Sequence, residues 1–386
     1  LRARSRARRA LTGRKTKLAV TNRILTRLPV RRGTVVFESH LGKQYSDNPK
    51  YIYRELRRLN AAKPGKARVK AYWSYEDSPK GFPSDATLVR RGSWAYFYAL
   101  ARAEFWVDNQ GFPEGLRKRD ETTYIQTWHG SAYKRMGFDQ PALKKASKGK
   151  QAKVREMVRR YDSFLIRTGH DERTLARGLG VTAELLPTGY PRNDPLVKGL
   201  GALDTAGADF DLARELDELR RELGLEGDGR KVVLYAPTFR ADDDGKPRKN
   251  RAKDATELPF DPERFVSELG DEMVLLVRPH YLARIALPPS SSRAVREAVR
   301  EVGHVPDITP LLLLTDVLIT DRSSVMFDYA LLDRPMVFYL PDGTEDGEGY
   351  FDLAAEAPGP VVRDEDALFT ALAKLDDVQS DHAGRR

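Results

Sequence analysis

From residue 33 onward, short β-branched runs alternate with helical patterns, and that alternation stops once and starts again. The first series predicts strands over 34–38, 69–74, 86–89, 104–107, 123–127, 164–167 and 184–187, with helices over 49–61, 94–102 and 172–177. A Gly- and Ala-rich stretch, 198–209, has little pattern. The second series predicts strands over 232–236, 273–277, 316–320, 335–339 and 360–362, and helices near 211–223, 262–269, 292–301, 323–332 and 364–375. Strands separated by helices form parallel sheets covered on both faces. Two such series predict an α/β protein with two Rossmann-like domains whose parallel sheets face a cleft. The predicted boundaries are a basic arm over 1–32, a first domain over 33–200 and a second over 205–378. In open parallel sheets, ligands sit beyond the carboxyl ends of the strands. The residues after each predicted strand are therefore where chemistry is sought.

Composition narrows the class. With 40% hydrophobic and 32% charged residues, the chain has enough apolar material for packed cores. It has no cysteine, which removes disulfides and thiolate chemistry and fits a reducing compartment. The best apolar run, Leu311 to Ile319, is short and interrupted by Asp316, so no membrane span is expected. The first residue is Leu, which suggests a fragment of a longer chain. The formal charge of +10 is concentrated at one end. Residues 1–37 hold twelve Lys or Arg and no acid, which leaves −2 on the rest. Such an arm suits a polyanion or an anionic lipid surface, and equally a solvated linker.

Seven segments carry candidate chemistry, and each has a plainer alternative. In Thr127-Trp128-His129-Gly130, His129 stands at a strand end, where an imidazole can take a proton from a hydroxyl or simply be hydrogen-bonded in place. In Arg278-Pro279-His280 a cation and an imidazole emerge together, which suits a phosphate or a local acid. In Thr320-Asp321-Arg322-Ser323-Ser324, Ser323 and Ser324 at a helix start form a phosphate seat or an ordinary N-cap. Asp321 there suits a ribose or a turn. Gly189–Asp194 offers Arg192 and Asn193 to a donor, or is an interdomain turn. Tyr235–Arg240 offers Thr238 and Arg240 at the end of the second domain's first strand. Gly42–Pro49 contains Lys43, Tyr45, Asp47 and Asn48, and Asn48-Pro49 also reads as an N-cap and first turn. Finally, residues 144–160 hold eight Lys or Arg, among them Lys144, Lys145, Lys148 and Lys150, against one acid. Val154, Met157, Val158 and Tyr161 fall on one helical face, so this helix suits an anionic bilayer or packs its stripe on its own domain. No paired cysteines, HExxH, dinucleotide loop or Walker loop occurs, so no metal site and no cofactor is expected.

The order of these segments carries more than any one of them. Gly42–Pro49, Arg91–Trp94, Trp106–Asn109, Gln126–Gly130, Thr188–Asp194, Leu234–Arg240, Arg278–His280 and Asp316–Tyr339 together resemble the CDP-glycerol glycerophosphotransferase (teichoic acid polymerase) family, from about residue 34 to about 375. Two departures are Arg322, where the family usually has Tyr, and Ser131-Ala132-Tyr133, where it more often has Thr-Pro-Leu. The resemblance implies a GT-B-like architecture, with the acceptor on the first domain and a CDP-linked donor on the second. It implies that His129 and His280 are catalytic, and that donor contacts come from Arg192, Asn193, Thr238, Arg240, Arg278, Asp321, Ser323 and Ser324. Acceptor contacts are expected from Lys43, Tyr45, Asp47 and Asn48. The implied reaction moves glycerol phosphate from CDP-glycerol to a lipid-linked teichoic-acid-like or capsular polymer, releasing CMP. CDP-ribitol or a nucleotide sugar is the alternative donor. A non-enzymatic polyanion binder is the alternative from another class, and no nucleic acid partner is expected. A peripheral place on the cytoplasmic face of the membrane completes the expectation.

Overall fold

The computed structural model describes residues 13–62, 68–198, 210–238, 257–279, 287, 291–341, 349–382 and 384. They form two compact units. One runs to Ser131 and includes Met136–Arg192; the other takes Ala132–Arg135 and the chain from Asn193 on. The border thus falls inside the Gly189–Asp194 segment, upstream of the Gly- and Ala-rich stretch where the sequence pattern places it.

The first unit is a seven-stranded sheet of order β3-β2-β1-β4-β5-β6-β7. Its strands are β1 Arg31–Glu38, β2 Lys70–Tyr75, β3 Thr87–Arg90, β4 Ala103–Asp108, β5 Thr123–Gln126, β6 Ser163–Leu165 and β7 Glu184–Leu186. Every pairing is parallel. Its core is aromatic. On one face Phe37, Tyr53 and Trp73 pack together, with Tyr45 against Trp73 at 5.0 Å. Trp106, Phe112, Tyr124, Tyr161 and Phe164 form a second cluster. Tyr45, expected to face the acceptor, is therefore half-buried in packing.

The second unit repeats the plan with six parallel strands of order β10-β9-β8-β11-β12-β13. They are β8 Lys231–Tyr235, β9 Met273–Val277, β10 Val299–Glu301, β11 Val317–Thr320, β12 Met336–Tyr339 and β13 Val361–Val362. Alternation along each strand feeds two cores. Val232, Leu234, Val274, Leu276 and Leu318 join one, and Val233, Tyr235, Leu275, Val277, Val317 and Ile319 the other. Strands buried on both faces read as unbroken apolar runs, which is why these were legible.

Two predicted elements change. The helix expected over 292–301 spans only Arg293–Ala298, after which Val299–Glu301 becomes the edge strand β10 beside β9. Val299 and Val302 at i and i+3 mimic a helical face, but β-branched residues beside an open sheet edge gain more from strand pairing. The arm expected over 1–32 is structured from residue 14. Arg14–Arg23 is a helix held by Lys17 Nζ on the Gly92 carbonyl (2.8 Å) and Asn22 Nδ2 on the Gly115 carbonyl (2.8 Å). Residues 1–12, the rest of that arm, lie outside the described residues, as does most of the charged 241–257 loop. Among the described residues no helix is long and apolar enough to cross a membrane.

Candidate active site

In both sheets the winding reverses once, between β1 and β4 and between β8 and β11. A crevice opens at such a point, beyond the carboxyl ends of the strands. Backbone strain marks the first of these. Four of the five non-glycine residues at positive φ among the described residues are His40, Leu41, Asp47 and Trp128. Conformations of this kind cost roughly 1–3 kcal/mol each and persist where surrounding bonds over-determine them.

Here three segments read separately in the sequence come together. Asp47 is buried and accepts from the Asn48 N–H (2.6 Å) and Asn109 Nδ2 (3.0 Å). It pairs with Arg192 Nη1 (3.0 Å) and His40 Nε2 (3.3 Å). Burial alone would raise its carboxyl, but the Arg192 guanidinium and His40 outweigh burial and hold it well below the usual carboxylate range. Arg192 also donates to the His129 carbonyl (3.0 Å), and its N–H meets Asn48 Oδ1 (3.2 Å). Asn48 Nδ2 in turn donates to the carbonyls of Thr127 (3.1 Å) and Trp128 (3.2 Å). The helix after β1 begins at Asp47 with Ser46 as its N-cap, so Asn48 does not cap it but staples the His129 turn.

His129 sits between Trp128 at φ 55° and Gly130 at φ 146°, a reversal that needs glycine on its second side. Its Nδ1 lies 2.7 Å from the Asn109 carbonyl, which can only accept. The proton is therefore on Nδ1 and the lone pair on Nε2. The Trp128 ring stacks on the imidazole at 4.7 Å. Burial pushes its pKa down to about 4, partly countered by the Asn109 bond, so the ring is neutral at pH 7.

Arg192 and Asn193, grouped in the sequence as donor contacts, fall in different units. A buried guanidinium needs a carboxylate, and Asp47 supplies it, which places Arg192 on the His129 side. Asn193 belongs to the second unit and donates to Asp328 Oδ1 (2.9 Å). Lys43 is exposed.

At the second reversal, Asp321 accepts both the Thr238 N–H (2.8 Å) and the Thr238 hydroxyl (2.7 Å). Of its two readings, ribose contact or turn cap, these bonds match the cap. Ser323 and Ser324 stand half-buried before the short helix Val325–Tyr329, with Ser324 at its N-cap. Arg278 follows β9, and its Nη1 donates to the Val305 carbonyl (2.7 Å). Burial lowers its pKa to about 10, which leaves it charged. That carbonyl bond takes up part of the fork expected to grip a phosphate. Arg240 and His280 lie outside the described residues.

The basic stretch forms the helix Lys148–Arg159, and its stripe packs inward: Val158 and Tyr161 are buried, with Tyr161 edge-on to Tyr124 at 5.1 Å. Lys144, Lys145, Lys148 and Lys150 are exposed. Val158 and Tyr161 are thus part of the first unit's own core, with Val154 and Met157 half-buried, and the lysines form the exposed face.

Sequence reasoning missed His40, Asp108, Asn109 and Gln126 as site residues. Their shared signal is a polar side chain at or just past the carboxyl end of an apolar strand. Glu38, Asp108 and Gln126 stand in register across β1, β4 and β5.

Residues 20–386 match the family described as CDP-Glycerol:Poly(glycerophosphate) glycerophosphotransferase. The teichoic acid poly(glycerol phosphate) polymerase of Staphylococcus epidermidis is 34% identical over 362 residues, which cover 92% of this chain and 47% of that protein. The chain thus spans about half the length of this relative. The teichoic acid glycerol-phosphate transferase of Staphylococcus aureus is 31% identical over 382 residues, covering 95% of this chain and 90% of that one. A solved structure of the wall teichoic acid polymerase TagF superposes with a TM-score of 0.82 at 31% identity, covering 99% of this chain and 89% of that chain. The chain belongs to the CDP-glycerol:poly(glycerophosphate) glycerophosphotransferase family.

Proposed function

We propose that the protein transfers glycerol phosphate from CDP-glycerol to the terminal hydroxyl of a lipid-linked, teichoic-acid-like polymer, releasing CMP. One observation carries the reading: an imidazole, anchored through Nδ1 on the Asn109 carbonyl so that Nε2 is left over, at the reversal point of an open parallel sheet. Nε2 of His129 takes the proton of the acceptor hydroxyl as its oxygen attacks the β-phosphorus. The bond from that phosphorus to the bridging oxygen breaks, and CMP leaves with the electron pair. In a loose phosphoryl transfer the attacking hydroxyl becomes acidic only as the new bond forms, so a base that is weak at rest suffices. Ser323, Ser324 and Arg278 steady the pyrophosphate charge, and the family resemblance adds His280. The relatives at 31% and 34% identity are glycerol-phosphate enzymes by name, which favours glycerol over ribitol. The test is CMP release from CDP-glycerol in competition with CDP-ribitol and nucleotide sugars. Faster turnover of either rival would replace the donor.

Two further outcomes are expected. Replacing Ser323 and Ser324 together by Ala removes two hydroxyl donors to a charged group and weakens CDP-glycerol binding by at least ~10-fold in calorimetry. Unchanged affinity would put the pyrophosphate elsewhere. A lipid-linked acceptor also requires a way to the bilayer. With the apolar stripe used internally, attachment rests on charge, at about 1 kcal/mol per Lys or Arg near an anionic surface. Binding is expected to anionic but not neutral vesicles, to weaken with salt, and to fall when Lys144, Lys145, Lys148 and Lys150 become Gln. Turnover of a soluble acceptor analogue should survive that change. Equal binding to neutral vesicles would return these lysines to plain surface charge.

A further inference from the structure

We propose that Asp108 and Gln126 are positioning residues, a buried hydrogen-bond relay that fixes where the lone pair of His129 points. This rests on the reading of His129 as the base. Asp108 is the last residue of β4 and Gln126 the last of β5, in register and both fully buried. Asp108 Oδ1 accepts from the Tyr124 hydroxyl (2.7 Å) and Gln126 Nε2 (2.9 Å), and Oδ2 accepts the Gly111 N–H. Burial pushes the Asp108 carboxyl up to about 7, and the Tyr124 hydroxyl and Gly111 N–H counter it by favouring the ionised form. Three donors converge on that carboxylate, which accepts all of them when ionised. That dictates the orientation of the Gln126 amide: its NH₂ faces Asp108, and its Oε1 is left to accept the Trp128 N–H at 2.9 Å.

The consequence is local and directional. Trp128 is held at φ 55°, a conformation a bulky residue does not choose, and its ring is the platform on which the His129 imidazole stacks. The carbonyl of Asp108 takes the Thr127 N–H (2.8 Å) and hydroxyl (3.0 Å), and the next carbonyl, that of Asn109, takes His129 Nδ1. Residues 108 and 109 thus grip the turn by its backbone, by the Gln126 amide and by the imidazole itself. Glu38, the third member of the same row, is not part of the relay; it accepts from Ser74, Tyr96 and Arg91.

The relay has a polarity, and polarity can be reversed by substitution. In Asp108→Asn one acceptor oxygen remains, and the Gly111 N–H, a backbone donor that cannot reverse, holds it. The new NH₂ therefore faces Tyr124, whose hydroxyl can accept, and Gln126, where the carboxylate accepted. The Gln126 amide must then turn over, bringing its NH₂ against the Trp128 N–H. Adding Gln126→Glu supplies a carboxylate that accepts from both the new amide and Trp128, so the relay runs again with its charge moved one strand along. The expected results are a fall in kcat for CMP release of about 100-fold in the single variant, the scale of a 1 Å misplacement. The KM for CDP-glycerol should stay within about twofold, and kcat in the double variant should recover to within about tenfold of the parent. Nitrogen-resolved NMR of His129, read without substrate, should show one Nδ1–H tautomer in the parent, a mixture in Asp108→Asn and one tautomer again in the double variant. Tyr124→Phe removes a donor to Asp108 but leaves the relay intact, so it should cost stability with kcat within about threefold. If Asp108→Asn does not fold, Gln126→Met removes the acceptor without touching the carboxylate and should give the same loss of tautomer. A double variant no better than the single, or a variant that keeps the tautomer without the relay, overturns the proposal. A parent chain with the tautomer but no CMP release overturns the proposed function instead and leaves the relay standing.

Discussion

On the proposed function, replacing His129 by Ala is expected to lower CMP release by about 10²–10⁴-fold and to leave CDP-glycerol affinity within about twofold, the effect of losing one general base. The two measurements are separable because His129 is part of the first unit, whereas Arg278, Ser323 and Ser324, the groups proposed to steady the pyrophosphate, are part of the second. The geometry adds a pH signature. Burial holds the His129 pKa near 4, so the lone pair on Nε2 is present throughout the neutral range. The acid limb of kcat/KM that belongs to this group, which reports the free enzyme, should therefore fall below pH 5, not near the value of about 6.5 for a solvated imidazole. Stopped assays across pH 4–8, with calorimetry of the donor, check both halves. Parallel loss of rate and affinity would make His129 a binding group, and an acid limb near 6.5 that persists in His129→Ala would move the base to another residue.

What was legible in the sequence tracks what each residue does alone. Strands such as Met273–Val277 are buried on both faces, so their apolar runs mark them without help from neighbours. The three-residue strand Val299–Glu301 exists only because β9 offers it an edge, a fact of tertiary structure that periodicity cannot hold. The site divides in the same way. His129 announces itself by residue type at a strand end. Arg192 is also visible by type, in the turn past β7, but the carboxylate it meets lies about 145 positions away in the chain, and without that partner it reads as a donor contact. His40, Asp108 and Gln126 act through hydrogen bonds that form only once neighbouring strands and turns are brought together, and each taken singly looks like an ordinary polar residue at or just past a strand end. The stripe Val154–Tyr161 shows the converse. Its periodicity is plain, yet periodicity says only that a face is apolar; the structure buries Val158 and Tyr161, the latter in the first unit's aromatic cluster.

Breaking the Asp47–Arg192 pair from one side destabilises the first unit by about 3–5 kcal/mol, because it strands a buried charge. Side chains of both residues are about 95% buried, with relative exposures of 5% and 6%, and are 3.0 Å apart. Arg192→Met keeps the volume and removes the cation; Asp47→Asn keeps the shape and removes the anion. Replacing both together should cost less than either alone, since an uncharged pair leaves no buried charge to compensate. The pH dependence has a definite sign. The folded-state value of Asp47 lies far below its unfolded value of about 3.9, so the stability it contributes is full above that pH and lost as pH falls through the folded value. In Arg192→Met the chief group holding it down is gone and burial pushes the carboxyl up, so protonation relieves the stranded charge. The penalty should therefore be larger at pH 7 than at pH 4.5. The chain reports on this cleanly, because its four tryptophans, Trp73, Trp94, Trp106 and Trp128, all lie in the first unit. Urea unfolding followed by tryptophan fluorescence at the two pH values gives the comparison. A penalty below about 1 kcal/mol, the range of exposed pairs, or one that does not change with pH, would mean that solvent reaches the pair and that His40 and Asn109 alone hold Asp47 in place.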